Sequence, residues 1–200
     1  MITSDQLAGI LAEHLEAFNR LRAESQPLIL QIAEMISGCL QRGGKILLCG
    51  NGGSAADAQH VAAEIVGRFT RERRGWPAIA LTTDTSILTA VANDYGFDEV
   101  FARQVEALAL PGDIVAGIST SGNSPNVLKA LTKARMKGAA TIAFTGAKGG
   151  LIDNPANLCF KAPSTVTARI QELHILVWHA VCDLVEAEMV ANGSVDFSRR

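Results

Sequence analysis

Five short apolar runs, each leading through a glycine- or hydroxyl-rich turn into a helical pattern, constrain this chain more than any other feature. They are Lys45–Cys49, Ala78–Leu81, Asp113–Ile118, Ala140–Phe144 and Asn157–Lys161. A strand covered on both faces reads as a continuous apolar run, and alternation with helices gives a parallel sheet. Ahead of these runs, Leu7, Ile10, Leu11, His14, Leu15 and Phe18 recur at helical spacing. Pro27 breaks that pattern, and Leu28–Leu40 resumes it up to a Gly43-Gly44 stop. A last helical pattern runs from about Val166 to Val190 and ends at Asn192-Gly193. With no repeat or linker between them, these segments predict one α/β domain over 1–200. A helical pair fills 1–43, and an α/β core with a closing helix fills 44–200.

At 200 residues, 48% of them hydrophobic and 19% charged, the chain can bury a full core and is not disordered. A net charge of −2 argues against a nucleic-acid partner held by phosphate neutralisation. No apolar run reaches the roughly 18 residues of a membrane span. The longest candidate, Ile175–Val185, is interrupted by His179 and Asp183. The opening MITSDQL has no basic stretch followed by an apolar one, so the expectation is a cytoplasmic chain with no membrane partner. Cys39, Cys49, Cys159 and Cys182 form no CxxC pair and read as buried free thiols.

Ligands of open parallel sheets bind beyond the carboxyl ends of the strands. The first strand runs into Cys49–Ser54 (CGNGGS), the second into Thr82–Ser86 (TTDTS), the third into Ser119–Ser124 (STSGNS). Ser119, Thr120, Ser121 and Ser124 place four hydroxyls in six residues around Gly122, just before a helix opening at Pro125. Hydroxyls and backbone N–H groups at a helix N-terminus make an anion pocket. The loop lacks the lysine of a nucleoside-triphosphate loop, so a small phosphate monoester fits better, and the bland alternative is a serine-rich turn with Ser124 as an N-cap. Gly50–Ala55 also matches the relaxed dinucleotide fingerprint G-x-G-x-x-A. However, Glu72 falls before the second strand, Asp84 lies farther on than the fingerprint wants, and a dinucleotide leaves the serine loop unexplained.

His60 and Glu64, four apart on the helix after the glycine loop, share one face and suit either a metal ion or an acid–base pair. The last helix carries Gln171, His174 and His179, and periodicity does not choose between the two histidines. Arg169 suits a phosphate or a local acid equally. Arg68, Arg71, Arg73 and Arg74 read as a solvated basic loop.

Together, CGNGGS at 49–54, DAQH at 57–60, AND at 92–94, ISTSGNS at 118–124 and RIQELH at 169–174 resemble the sugar isomerase (SIS) family, and within it the phosphoheptose isomerases. The resemblance spans nearly the whole chain. It implies a three-layer, doubly wound, flavodoxin-like sheet of five parallel strands, with the N-terminal helices used in oligomer packing. It implies conversion of sedoheptulose 7-phosphate to glycero-manno-heptose 7-phosphate, the opening step of nucleotide-activated heptose synthesis for lipopolysaccharide or other surface glycans. It further implies a homotetramer with one zinc ion per subunit. Carried over position by position, the zinc ligands fall on His60, Glu64, Gln171 and His179. Substrate contacts fall on Asn51, Gly52, Gly53, Glu64, Asn93, Asp94, Ser119, Thr120, Ser121, Ser124 and Gln171, and the acid–base roles on Glu64 and His179. Some members carry an acid just before the RIQE run, where this chain has Ala168. A relative in the same fold is an adaptor that binds the replication initiator DnaA. It lacks the glutamate at the position of Glu64, so Glu64 together with His179 favours the enzyme.

Gln171 and His179 stand eight residues apart on one helix, about 12 Å of axial rise. Two ligands of one zinc ion need donors only about 3–4 Å apart. The expectation is that the two come from different subunits and that the active site is built at an interface.

Overall fold

A computed structural model describes residues 1–191 and Gly193. Asn192, half of the expected helix stop, and residues 194–200 lie outside the described residues. The elements are α1 (Ser4–Glu24), α2 (Gln26–Gln41), β1 (Ile46–Gly50), α3 (Gly53–Val66), β2 (Ala78–Ala80), α4 (Thr85–Tyr95), α5 (Ala102–Leu108), β3 (Ile114–Ile118), α6 (Pro125–Met136), β4 (Ala140–Gly146), β5 (Leu158–Ala162) and α7 (Thr167–Ala191). Every expected strand is present within a residue or two of its predicted place.

The strands form one parallel sheet in the order β2-β1-β3-β4-β5, the doubly wound flavodoxin-like order. The order reverses between β1 and β3, so the glycine loop leaving β1 and the serine loop leaving β3 flank the switch point. Strands β1 and β3 are buried at every position. Their side chains alternate between two cores. Ile46 and Leu48 face the layer of α2, α3 and α7, whereas Leu47 and Cys49 face the layer of α5 and α6. Burial on both faces is what makes these strands read as continuous apolar runs.

The N-terminal helix opens on a capping box. Thr3 Oγ1 accepts from the Gln6 amide, and Gln6 Oε1 accepts from the Thr3 amide. Only Ala17 and Leu21 of α1 are buried, while Leu7, Ile10, Leu11 and Leu15 are each at least half exposed. Polar contacts hold α1 on α7. Arg169 Nη1 donates to the Ile10 carbonyl at 2.9 Å, and His14 Nδ1 lies 2.6 Å from Glu172 Oε2. Arg169 also pairs with Glu172. Of the two readings left open for Arg169, the structure shows the structural ion pair.

Cys39, Cys49 and Cys182 are buried, and Cys159 is partly so; all four are free thiols. Burial pushes the Cys49 thiol up to about 12, so it stays protonated and unreactive. Among the described residues, no helix is long and apolar enough to cross a membrane.

Candidate active site

The serine loop turns sharply after β3. The Gly122 amide donates to the Ser119 carbonyl, and Gly122 takes φ +69, a left-handed backbone that suits glycine. Ser119 is buried, and its hydroxyl is the centre of the cluster, 2.8 Å from Ser124 Oγ and 3.3 Å from Ser121 Oγ. Ser124 holds the N-cap position of α6, yet its hydroxyl makes no capping bond. It turns to Ser119 instead, so the plain N-cap reading fails. The cluster stands at the N-terminus of α6, and hydroxyls beside a helix N-terminus are the composition of an oxyanion pocket. A cleft of about 300 Å³ opens beside it between the ends of β3, β4 and β5, lined by Thr120, Ser121, Lys148, Ser164, Thr165 and Thr167 among others. Lys148 carries no local sequence signal; its place over the cleft comes from the tertiary fold alone.

Across the switch point, Asn51 of the glycine loop and Asn126 of α6 form a reciprocal amide pair. Each Nδ2 donates to the other's Oδ1, at 2.9 and 2.8 Å. Asn126 is almost fully buried and also accepts from the Val127 amide. The pair braces the two ligand loops at a fixed separation. Sequence reasoning missed Asn126, which follows an ordinary helix-opening proline. Asp84, the better placed acid for a dinucleotide ribose, caps α4 by accepting from the Ile87 amide at 2.9 Å.

Helices α3 and α7 lie side by side and parallel. At their upper ends Gly53 meets Gln171; a Cβ on Gly53 would stand 2.5 Å from Gln171 Nε2. Two turns farther along, His60 Nε2 lies 2.8 Å from His179 Nε2 and 3.3 Å from Glu64 Oε1. One ligand atom from each of His60, Glu64 and His179 falls within 4.8 Å of the others. Two imidazole nitrogens and a carboxylate converging at this range are a donor set for a divalent transition metal, whose ligand atoms sit about 3–4 Å apart around bonds of about 2 Å. Gln171 is not part of this cluster; its amide stands at Gly53, two turns away. Phe69 flanks His179, with ring centroids 5.5 Å apart.

The two histidines of α7 have separate fates. His174 is fully buried, with Nε2 2.9 Å from the Thr145 carbonyl and its ring against Phe144 and Phe160. Burial pushes its imidazole down to about 4 despite that hydrogen bond, so it is a neutral core group. His179 faces the site.

The expected solvated basic loop is corrected at Arg73, whereas Arg68 and Arg74 are exposed. Arg73 is 5% exposed and lies against Glu186, itself fully buried. Its guanidinium stacks over Trp76 at 3.7 Å. A run of like charges gave no sign of this, because the partner lies more than a hundred residues away on α7. Asn93 and Asp94 are exposed at the end of α4, where the Asn93 amide donates to Asp94 at 2.7 Å. Among the described residues, no hydrogen bond joins either to the serine loop or to the His60–Glu64–His179 trio.

Residues 11–146 match the SIS domain family. The chain belongs to the SIS family. A phosphoheptose isomerase from Roseiflexus sp. (strain RS-1) is 58% identical over 187 residues, covering 92% of this chain and 95% of the relative. The solved phosphoheptose isomerase of Neisseria gonorrhoeae superposes with a TM-score of 0.87 at 47% identity, over 92% of this chain and 98% of that one. That of Francisella tularensis superposes with a TM-score of 0.90 at 39% identity, over 94% and 100%. The fold and more than nine-tenths of the chain are thus shared with isomerases of this name.

Proposed function

We propose that this chain is a phosphoheptose isomerase that converts sedoheptulose 7-phosphate to glycero-manno-heptose 7-phosphate, the first step of nucleotide-activated heptose synthesis. The observation that carries the reading is the joint presence of the hydroxyl-lined phosphate loop and the His60–Glu64–His179 trio in a chain 58% identical to a relative of that name. The DnaA-binding adaptor reading has no support. Glu64 is present and sits within the trio, and the relatives at this identity are named as isomerases.

A ketose-to-aldose conversion moves a proton between C1 and C2 through an enediol, which requires a base over carbon and a proton carrier for the oxygens. Ser119, Thr120, Ser121 and Ser124 take the phosphate with the N-terminus of α6. Asn51, Gly52, Gly53, Asn93, Asp94 and Gln171 line the sugar. Glu64, half-buried with one oxygen turned toward His60, has a second oxygen to take and return the carbon proton. His179 moves protons among the substrate oxygens. His60, Glu64 and His179, with Gln171, would hold a divalent ion, and zinc suits that donor set. When bound, such an ion supplies Lewis-acid polarisation of the substrate oxygens.

Within one chain Gln171 and the glycine loop lie at one end of the α3–α7 pair and the trio lies two turns away. This separation supports a site assembled from two subunits, in which Gln171 of one chain completes the trio of another. The reading includes a cytoplasmic homotetramer with one zinc ion per subunit, in which the helices of 1–43 serve the contacts between chains of one SIS domain each.

The test is isomerisation of sedoheptulose 7-phosphate by the purified protein, after chelation and with zinc restored, beside Glu64→Gln. We expect turnover in the wild type and a loss of about a thousandfold or more in the variant. Near wild-type turnover by Glu64→Gln would remove the base assignment. No turnover from a folded, metal-loaded oligomer would remove the function.

A further inference from the structure

The loop joining α3 to β2 is fastened to α7 chiefly through the Glu186 carboxylate. Glu186 stands two turns beyond His179, on the same side of α7. It accepts the backbone amides of Phe69, Thr70 and Arg71 at 2.9, 2.7 and 2.7 Å, the Thr70 hydroxyl at 3.1 Å and Arg73 Nε at 2.9 Å. Arg73 spends its other donors on carbonyls. Its Nη2 donates to Glu64 at 2.8 Å, and its Nη1 to Ile65, Gly67 and Arg74 at 3.0, 3.1 and 3.0 Å. The first two carbonyls belong to the last turn of α3, whose carbonyls have no N–H donors left within the helix, so Arg73 acts as a remote C-cap. Asp183, one turn before Glu186, adds an ion pair to Arg71 at 2.6 Å.

Two of this clamp's contacts lead to the trio. The Glu64 carbonyl it holds belongs to the same residue whose carboxylate faces His60. The Phe69 amide it holds places the ring that flanks His179. Neither Arg73 nor Glu186 reaches the trio's ligand atoms. A buried ion pair adds little stability over a well-packed apolar pair of the same volume, so stability alone accounts poorly for burying these charges here.

We propose that Arg73 and Glu186 are positioning residues for the reaction: their clamp fixes the end of α3 against α7, and with it the spacing of Glu64 from His179 and the seat of Phe69 on the His179 ring. The proposal rests on the reading of the trio given above. Partners one step removed from metal ligands typically carry about 10- to 100-fold of metal affinity or activity.

The test uses the full chain with Zn²⁺ as the probe metal and three variants, Glu186→Gln, Arg73→Lys and Phe69→Leu. The readouts are zinc affinity by competition with a chromogenic chelator, kcat and KM for sedoheptulose 7-phosphate, and the imidazole ¹H–¹⁵N signals of His60 and His179. We expect zinc affinity and kcat to fall about 10- to 100-fold in the clamp variants, with KM changing by less than about threefold, because the serine loop sits on other elements. The two histidine signals shift. A role confined to stability would lower the melting temperature and leave zinc affinity, kcat and the histidine signals of the folded protein at wild-type values, and that result overturns the proposal. Should Glu186→Gln and Arg73→Lys fail to fold, Phe69→Leu decides. It removes the ring from His179 without stranding a buried charge, so a wild-type kcat and unshifted histidine signals overturn the proposal, and a loss in both supports it. A wild type that isomerises without binding zinc removes the metal reading, and the clamp is then judged on kcat and the histidine signals. A wild type with no turnover overturns the functional reading and this proposal together.

Discussion

His174 and His179, five positions apart on α7, show how side-chain direction decides chemistry. The first points into the core and stays neutral, and the second points along α3 at His60. Because burial holds the folded His174 imidazole near 4, below its ordinary 6.5, the unfolded chain binds the extra proton between those values. Stability from this group is complete above about pH 6.5 and falls by about 3 kcal/mol as the pH drops toward 4. Urea unfolding at pH 7, 5.5 and 4.5 and fixed protein concentration should show that decline, with a shallower slope in His174→Gln. In the serine loop, the Ser119 hydroxyl is shared by Ser121 and Ser124. Ser119→Ala should raise KM for the sugar phosphate by roughly 10- to 100-fold, the worth of a hydrogen bond to a charged group, and change kcat far less. Steady-state kinetics checks it, and a kcat effect without a KM effect would move the phosphate elsewhere.

Loops and helix ends carry the site, and they are held by close approaches that few residues permit. Gly122 combines φ +69 with a neighbour so near that a Cβ would lie 2.4 Å from the Gly149 carbonyl oxygen. Gly122→Ala should therefore destabilise by more than the roughly 1–3 kcal/mol of a left-handed alanine alone, and also weaken phosphate binding. Urea titration and KM measure the two parts. Gly53→Ala acts differently, because its Cβ would displace the Gln171 amide rather than backbone. It should leave stability within about 1 kcal/mol and depress kcat, since Gln171 can swing aside but loses its place. Kinetics beside thermal melting separates the two outcomes.

For the whole molecule, the outward apolar face of α1 is the feature that one chain leaves unexplained. Leu7, Ile10, Leu11 and Leu15 are exposed along one stripe while α1 is fastened to α7 by Arg169 and His14. The proposed tetramer would bury this stripe between chains. Leu11→Glu with Leu15→Glu should lower the sedimentation coefficient to that of a smaller species and remove most isomerase activity, because Gln171 would no longer reach a neighbour's trio. A smaller species with full turnover would place the complete site within one chain.

The sequence by itself determined the sheet, the helical pair, the hydroxyl loop and the pairing of His60 with Glu64. Each is written in residues close along the chain, where a short continuous apolar run, a period of 3.6 or a turn composition leaves a local trace. Periodicity left His174 and His179 undivided and the family resemblance chose His179; tertiary structure supplied the reason, and it alone turned Ser124 from a cap into a partner of Ser119, braced Asn51 with Asn126, and buried Arg73 on Glu186. Such outcomes depend on which face of a helix meets which neighbour, and for Asn51 with Asn126 and Arg73 with Glu186 that neighbour lies 75 and 113 residues away along the chain. A charge run or a lone histidine looks the same in sequence whether its partner is water or a buried carboxylate, and only packing supplies the partner.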